Sequence, residues 1–370
     1  MSRIPLDGLS QLLWRGAAAA ALALAAVLPA QAAGGVAGSG AKPTVSAKTY
    51  DYYLSGNAAD MPAPVPSSQL LVLMGGGSDV DEAFQQMIAK ARGALGGKVD
   101  VVVLRTSGAD GYNPYLVAMD GVDSVETLVL NKPEAANDPQ VNRIVAGADV
   151  LFIAGGDQST YIANWTGTQL QRTIASLLAR RQVPFGGTSA GLAVLGDVDY
   201  TGENGSVTSA QALSNPYDRR VTLSTAFLTG LPGLQATVTD SHVRTRDRMG
   251  RLVTFLARMV RDGLTTLAAT RGIGVDEATA VLVDSGRATV VGANAAYFLR
   301  PTIAPAVVAA RMPLDFRTVQ VYKVPAAVMA AQAAKFFDLG QWTPSDHAAP
   351  YYYDALGGAL TSTQEGGSVY

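Results

Sequence analysis

The chain has 370 residues, 48% of them hydrophobic and 16% charged, with a formal net charge of −2. That is enough apolar material for one large core, and it lacks the basic surplus that a nucleic-acid or anionic-membrane partner requires. No cysteine is present, which excludes disulfides, a thiol nucleophile, a thiolate metal site and a lipidated cysteine; with only two histidines, His242 and His347, neither a metal nor a cofactor is expected.

Residues 1–32 read as a signal peptide. Arg3 and Arg15 are basic, Ala17 to Leu28 is an apolar run, and Ala30-Gln31-Ala32 has the small residues of a cleavage site. The run is too short to cross about 30 Å of hydrocarbon as a helix, so the expectation is a secreted protein with no membrane association after cleavage. Residues 33–66, rich in Ala, Gly, Ser and Pro, read as a flexible linker, with Tyr50, Tyr52, Tyr53 and Leu54 available to dock part of it.

From residue 67 the pattern changes to short apolar runs alternating with amphipathic stretches. Leu70 to Met74 ends in Gly75-Gly76-Gly77, and a helix is predicted over Val80 to Gly93. Val99 to Leu104, Glu126 to Leu130 and Val150 to Ala154 are further strand candidates, the last ending in Gly155-Gly156-Asp157-Gln158. Tyr161 to Arg181 reads as a helix, and Val183 to Phe185 enters the turn Gly186-Gly187-Thr188-Ser189-Ala190-Gly191. Alternation of this kind predicts an α/β fold: a mostly parallel sheet covered on both faces, a three-layer sandwich. The second half is β-rich. It offers a strand near Leu234 to Val238, a helix over Thr245 to Asp262, and three or four short strands over Thr266 to Leu299. A hairpin turn is predicted at Asp284-Ser285-Gly286. After Asp315 come a strand-like run at Val319 to Val324, an Ala-rich helix near Ala326 to Phe337, and an aromatic end. The catalytic domain is expected over 67–305, with 306–370 an extension packing on it or trailing from it.

Several strand ends are glycine-rich, and open α/β sheets bind ligands beyond the carboxyl ends of their strands. Ser189 sits at such an end within G-x-S-x-G, the elbow in which a strand turns sharply into a helix and small neighbours avoid clashes. The backbone N–H of Ala190 is then an oxyanion donor. A serine nucleophile needs a base in reach. His242 lies between a strand-like run and a helix, whereas His347 lies in a polar loop near the end of the sequence. Ser189 with His347 would fit the chain order of an α/β-hydrolase esterase. Asp240, Asp276 and Glu277 are all candidate orienters of the imidazole. If the chain is helical from Arg244, then Arg244, Arg248 and Arg251 share a face and could hold carboxylates in forked pairs.

Five ordered blocks carry a resemblance: Gly75-Gly76-Gly77, Gly155 to Gln158, Gly187 to Gly191, Asp240 to Leu252, and Gly272 to Glu277. Over about residues 69 to 300 the sequence resembles the cyanophycinase-like serine peptidases, relatives of peptidase E on a class I glutaminase-like fold. The resemblance implies Ser189 as nucleophile, His242 as base and Glu277 as its orienting acid. It implies Gly156 and Ala190 as oxyanion donors, and Gln158, Asp240, Arg246, Arg248 and Arg251 as substrate contacts. It further implies a peptide substrate, cyanophycin or a related β-aspartyl peptide cut by an exopeptidase, and a homodimer. One position departs from the family block, which reads Asp-Gln-His where this chain has Asp240-Ser241-His242. A non-catalytic binding protein on the same fold is the remaining alternative.

Overall fold

The computed structural model describes residues 49–57, 59, 64–94, 96–327 and 335–370. The expected signal peptide, the linker up to residue 48 and most of the expected Ala-rich helix lie outside the described residues.

Runs of Val, Leu and Ile form the strands. The first half contributes β1 (Asp51–Gly56), β2 (Leu70–Met74), β3 (Val99–Arg105), β4 (Val122–Val129), β5 (Val150–Ile153) and β6 (Phe185–Thr188). Between them run α1 (Asp81–Arg92), α2 (Tyr112–Val117), α3 (Pro133–Ala136), α4 (Pro139–Gly147), α5 (Gln158–Trp165), α6 (Gln169–Arg181) and the short α7 (Ala190–Ala193). A small ribbon, β7 (Asp199–Tyr200) with β8 (Leu223–Ser224), flanks α8 (Ser209–Ser214). Then come β9 (Thr237–Ser241), α9 (Met249–Arg261), β10 (Arg271–Val275), β11 (Thr279–Asp284), β12 (Arg287–Gly292) and β13 (Ala295–Arg300). The chain continues through β14 (Phe316–Pro325), β15 (Phe337–Asp338), β16 (Thr343–Pro344), β17 (Tyr351–Leu356) and β18 (Ala359–Ser362).

Among the described residues the larger sheet has the order β1-β4-β3-β5-β6-β2-β11-β12-β15-β16. Its centre, β4-β3-β5-β6-β2, is parallel throughout. Every residue of β2 and β5 is buried, because helices cover both faces; this is why these strands read as unbroken apolar runs. On one face Phe84, Met87 and Ile88 of α1 and Leu116 of α2 pack on Val72, Val101, Val103 and Phe152. On the other, Val141, Tyr161, Trp165, Ile174 and Leu177 pack on Leu71, Leu73, Val102, Leu151 and Phe185. The parallel centre is therefore an α/β/α sandwich, and the β-rich second half extends it with antiparallel β11 and β12.

A second sheet, β18-β17-β14-β13-β10-β9, lays Ile273, Val275, Ala296 and Phe298 on Val281, Val283 and Val290 of the first. Its opposite face is closed by Leu252, Val253, Phe255 and Leu256 of α9. Residues 316–325 and 351–362 thus build this sheet. At the other end of the chain, 51–56 departs from the expected linker. It pairs antiparallel with β4 as an edge strand, fixed by the Tyr52 hydroxyl donating to Glu126 at 2.6 Å.

Two helices differ from their sequence expectation. The run from Tyr161 to Arg181 is two helices, because Gly167 adopts a φ of 74° and Thr168 is extended. The helix expected from Thr245 begins only at Met249. Before it, the amides of Arg246 and Arg248 donate to the carbonyls of His242 and Val243, and Asp247 has a φ of 46°, winding 242–248 into a tight loop. The predicted hairpin turn is as expected: Ser285 and Gly286 both have positive φ, as a two-residue turn matched to strand twist requires.

Candidate active site

Three strand ends converge. β6 of the first sheet delivers Ser189, β9 of the second delivers His242, and the residues after β10 deliver Glu277. The glycine run after β2 joins them: the His242 amide donates to the Gly75 carbonyl at 2.8 Å, and the Ala278 amide to the Gly76 carbonyl at 2.9 Å.

Ser189 has φ 54° and ψ −111°, a conformation costly for any residue with a Cβ. It persists because both sides are tied. Its amide donates to the Met74 carbonyl at 3.0 Å, and its carbonyl accepts from Ala193 of α7. Gly191 allows the turn to close against β5, for a Cβ there would lie 2.1 Å from the Ile153 carbonyl oxygen. Ala190 is the first residue of α7, so its N–H has no preceding helical carbonyl to bond.

The Ser189 Oγ lies 2.7 Å from His242 Nε2, and His242 Nδ1 lies 2.6 Å from Glu277 Oε1. A carboxylate at Nδ1 accepts the proton there, which leaves the Nε2 lone pair to accept from the serine hydroxyl. Burial pushes the imidazole below its usual range. Arg246 and Arg248 push the same way, and Glu277 opposes them. The hydrogen bond from His242 is in turn the main cause that holds Glu277 below the usual carboxylate range. At neutral pH the arrangement is a neutral base between a hydroxyl and an ionised acid. His347 is not brought to it: the residue is exposed in a loop, its amide on the Pro344 carbonyl.

A cavity of about 230 Å³ opens beside Ser189. Gly156, Ala190, Gln158, Asp240, Arg246, Arg248 and Arg251 all line it, so every residue expected to contact substrate or oxyanion faces one space with the serine. Their states differ. Arg251 is fully buried and forks Asp240 at 2.8 and 2.6 Å, with its third nitrogen 3.1 Å from Ser206 Oγ. Its guanidinium also lies over the Tyr200 ring at 4.9 Å. The fork that could hold a substrate carboxylate is thus occupied by Asp240. Arg248 donates to the Ser241 carbonyl at 3.0 Å, and burial with the neighbouring Arg251 lowers it to about 10. Arg246 is half-exposed, its Nε 4.0 Å from Glu277. Arg244 is exposed and outside the cavity lining, so the expected face of Arg244, Arg248 and Arg251 does not form; the helix starts after Arg248.

Asp276 and Asp240, the other candidate orienters, are engaged elsewhere. Asp276 accepts from the Arg244 amide at 3.0 Å and the Tyr297 hydroxyl at 3.3 Å. Sequence reasoning missed Tyr200 and Ser206, which wall the cavity from a two-residue strand and a loop with no pattern to mark them. It also missed the purpose of Gly76, whose added Cβ would lie 2.3 Å from the His242 ring.

A glycine-elbow serine, a buried histidine and a carboxylate in hydrogen-bonded series, set at the strand ends of an α/β sandwich, define the architecture of a serine hydrolase site. Residues 116–218 match the family model Peptidase family S51. A cyanophycinase from Trichormus variabilis and one from Nostoc sp. are each 29% identical over 183 residues, 49% of this chain and 55% of theirs. A cyanophycinase from Geminocystis herdmanii is 26% identical over 159 residues, 43% of this chain and 52% of its own. The chain spans about half the length of the curated relatives it matches. Among solved structures, a peptidase from an acI-B1 Actinobacterium has 16% identity and a TM-score of 0.43, over 71% of this chain and 97% of that one. A putative peptidase E from Listeria monocytogenes EGD-e has 12% identity and a TM-score of 0.40, over 61% and 99%. The chain is thus similar to peptidase family S51 over 116–218 and to cyanophycinases over about half its length. The family match includes Ser189 but ends before His242 and Glu277, which the hydrogen-bond geometry joins to it.

Proposed function

We propose that this chain is an exported serine exopeptidase that hydrolyses β-aspartyl peptides of the cyanophycin class by acyl transfer. The observation that carries the reading is the unbroken Ser189–His242–Glu277 series at 2.7 and 2.6 Å. In this reading Ser189 Oγ attacks the scissile carbonyl as His242 Nε2 takes its proton. Glu277 holds the tautomer and stabilises the imidazolium, and the N–H groups of Ala190 and Gly156 take the oxyanion. His242 then protonates the leaving amine, and water, activated by the same histidine, releases the acyl group. Arg246 and Arg248 supply positive charge on the cavity wall for a substrate carboxylate.

The cyanophycinases this chain resembles support the substrate class, and the N-terminal pattern supports export. The mature protein is incubated with insoluble cyanophycin and with β-aspartyl dipeptides, and the products are weighed by mass spectrometry. Release of β-Asp-Arg is expected. Ser189→Ala and His242→Ala are expected to abolish it and His347→Ala to leave it intact. Loss of activity in His347→Ala would transfer the base to that residue. Failure of Ser189 to label with a fluorophosphonate would make the chain a binding protein. Export is tested by the N-terminus of the mature protein, expected at Ala33.

A further inference from the structure

We propose that Tyr370 is a positioning residue for the cavity's arginines, its hydroxyl clamping the loop 243–248 on both sides of Arg248. The hydroxyl donates to Asp247 Oδ1 at 2.7 Å and accepts from the Met249 amide at 3.2 Å, so one oxygen grips the residue before Arg248 and the residue after it. Both of its hydrogen-bonding capacities are spent on this loop.

The loop needs such a hold. It carries His242 at one end and Arg246 and Arg248 toward the other, and His242 and Asp247 both have positive φ. Arg248 is crowded by Arg251 in a buried setting that lowers it to about 10, with Asp240 at 3.9 Å opposing the shift. What fixes the loop is a set of tethers from outside it. The Asp276 carboxylate takes the Arg244 amide at one end, and at the other Ser209 Oγ donates to the Asp247 carbonyl while Tyr370 takes its carboxylate.

Tyr370 is itself anchored. Its ring meets Tyr297 edge-on at 6.3 Å, and the Tyr297 hydroxyl reaches Asp276 at 3.3 Å. The Tyr353 hydroxyl donates to the Val369 carbonyl, and Ser368 Oγ holds the Tyr370 main chain. The two tethers of the loop thus meet through Tyr297, and the chain beyond residue 363 acts as a strut from the second sheet to the cavity wall.

The test is Tyr370→Phe in the full chain, which keeps the ring and removes one oxygen. Amide hydrogen exchange is followed over 243–249, with KM and kcat on a β-aspartyl dipeptide and the rate of Ser189 labelling by a neutral fluorophosphonate. The expected result is exchange at Arg248 and Met249 faster by about ten-fold and KM raised about five-fold, with kcat and labelling changed by less than about two-fold. Unchanged exchange over 243–249 overturns the proposal whatever the activity does. So does exchange that rises uniformly across α9 and the second sheet with KM, kcat and labelling all impaired, because that is lost stability rather than lost positioning. The KM arm rests on the substrate reading above, but the exchange arm does not: a wild-type protein that turns over no β-aspartyl peptide sinks that reading while exchange still decides this one.

Discussion

Gly76→Ala is expected to disable the site without replacing any of its three reacting side chains. The added Cβ would lie 2.3 Å from His242 Cε1 and 2.4 Å from Nε2. Ordinary carbon contacts begin near about 3.5 Å, so the ring must retreat by about 1 Å. From 2.7 Å that takes Nε2 beyond hydrogen-bond reach of Ser189 Oγ. Losing a general base costs roughly 10²- to 10⁴-fold in rate, and that range is expected for kcat and for fluorophosphonate labelling of Ser189. Gly76 also has a φ of 91°, and an alanine there carries strain of about 1–3 kcal/mol that could lower activity through stability alone. Gly97→Ala is the control: its φ is 103° and nothing among the described residues lies within 4 Å of its added Cβ, so it takes the strain without the clash. Thermal melting and labelling are measured on both variants. If Gly76→Ala labels at the wild-type rate, or if the two variants lose rate in proportion to their melting temperatures, the glycine platform is not what seats the histidine.

Three further outcomes follow from the charges. Since His242 is held below the usual imidazole range and acts unprotonated, the acid limb of Ser189 labelling should fall below about pH 6.5; Arg248→Met removes one of the lowering cations and should move that limb upward. Breaking the buried Asp240–Arg251 fork by either single alanine leaves an unpaired charge, with an expected loss of about 3–5 kcal/mol in denaturant unfolding, whereas the double variant should lose less than the two singles together. Asp199 is wholly buried, with neither carboxylate oxygen partnered among the described residues, and burial raises it well above its ordinary value. The folded state therefore holds a proton that the unfolded state has lost. Stability from this group is present below the unfolded value of about 3.9 and declines as pH rises toward the folded one; Asp199→Asn should flatten that decline in unfolding measured from pH 4 to 8.

The sandwich was legible because its physics is local and periodic. β2 and β5 are buried on both faces, and burial on both faces leaves an unbroken apolar run in the sequence. Ser189 was legible for a related reason: a strained elbow admits only small neighbours, and Gly186, Gly187, Ala190 and Gly191 record that steric demand. The orienting acid was legible only through the family resemblance, which implied Glu277; charge by itself leaves Asp240, Asp276 and Glu277 as equal candidates. Three-dimensional pairing separates them physically: Asp240 is forked by Arg251, Asp276 is bonded by Arg244 and Tyr297, and of the three Glu277 reaches the imidazole.

The arginine block failed as a helix for an equally specific reason. Spacing alone put Arg244, Arg248 and Arg251 on one face, but helical periodicity holds only where the backbone is helical. Here His242 must present its ring to Ser189 immediately after β9, which fixes a positive φ at 242 and a tight loop until Met249. The loop sorts the arginines by function rather than by spacing: Arg251, inside the helix, closes an internal pair, while Arg246 and Arg248, outside it, keep charge on the cavity wall. Ser241 belongs to the same arrangement, its carbonyl holding Arg248 at 3.0 Å and its hydroxyl lying 3.4 Å from the same nitrogen. A longer amide side chain at 241, as in Ser241→Gln, would have to share that nitrogen or displace it. The variant is therefore expected to change KM for carboxylate-bearing peptides while leaving neutral-probe labelling of Ser189 at its wild-type rate. Equal loss in both would show that position 241 acts on His242, its immediate neighbour, and not on the arginine.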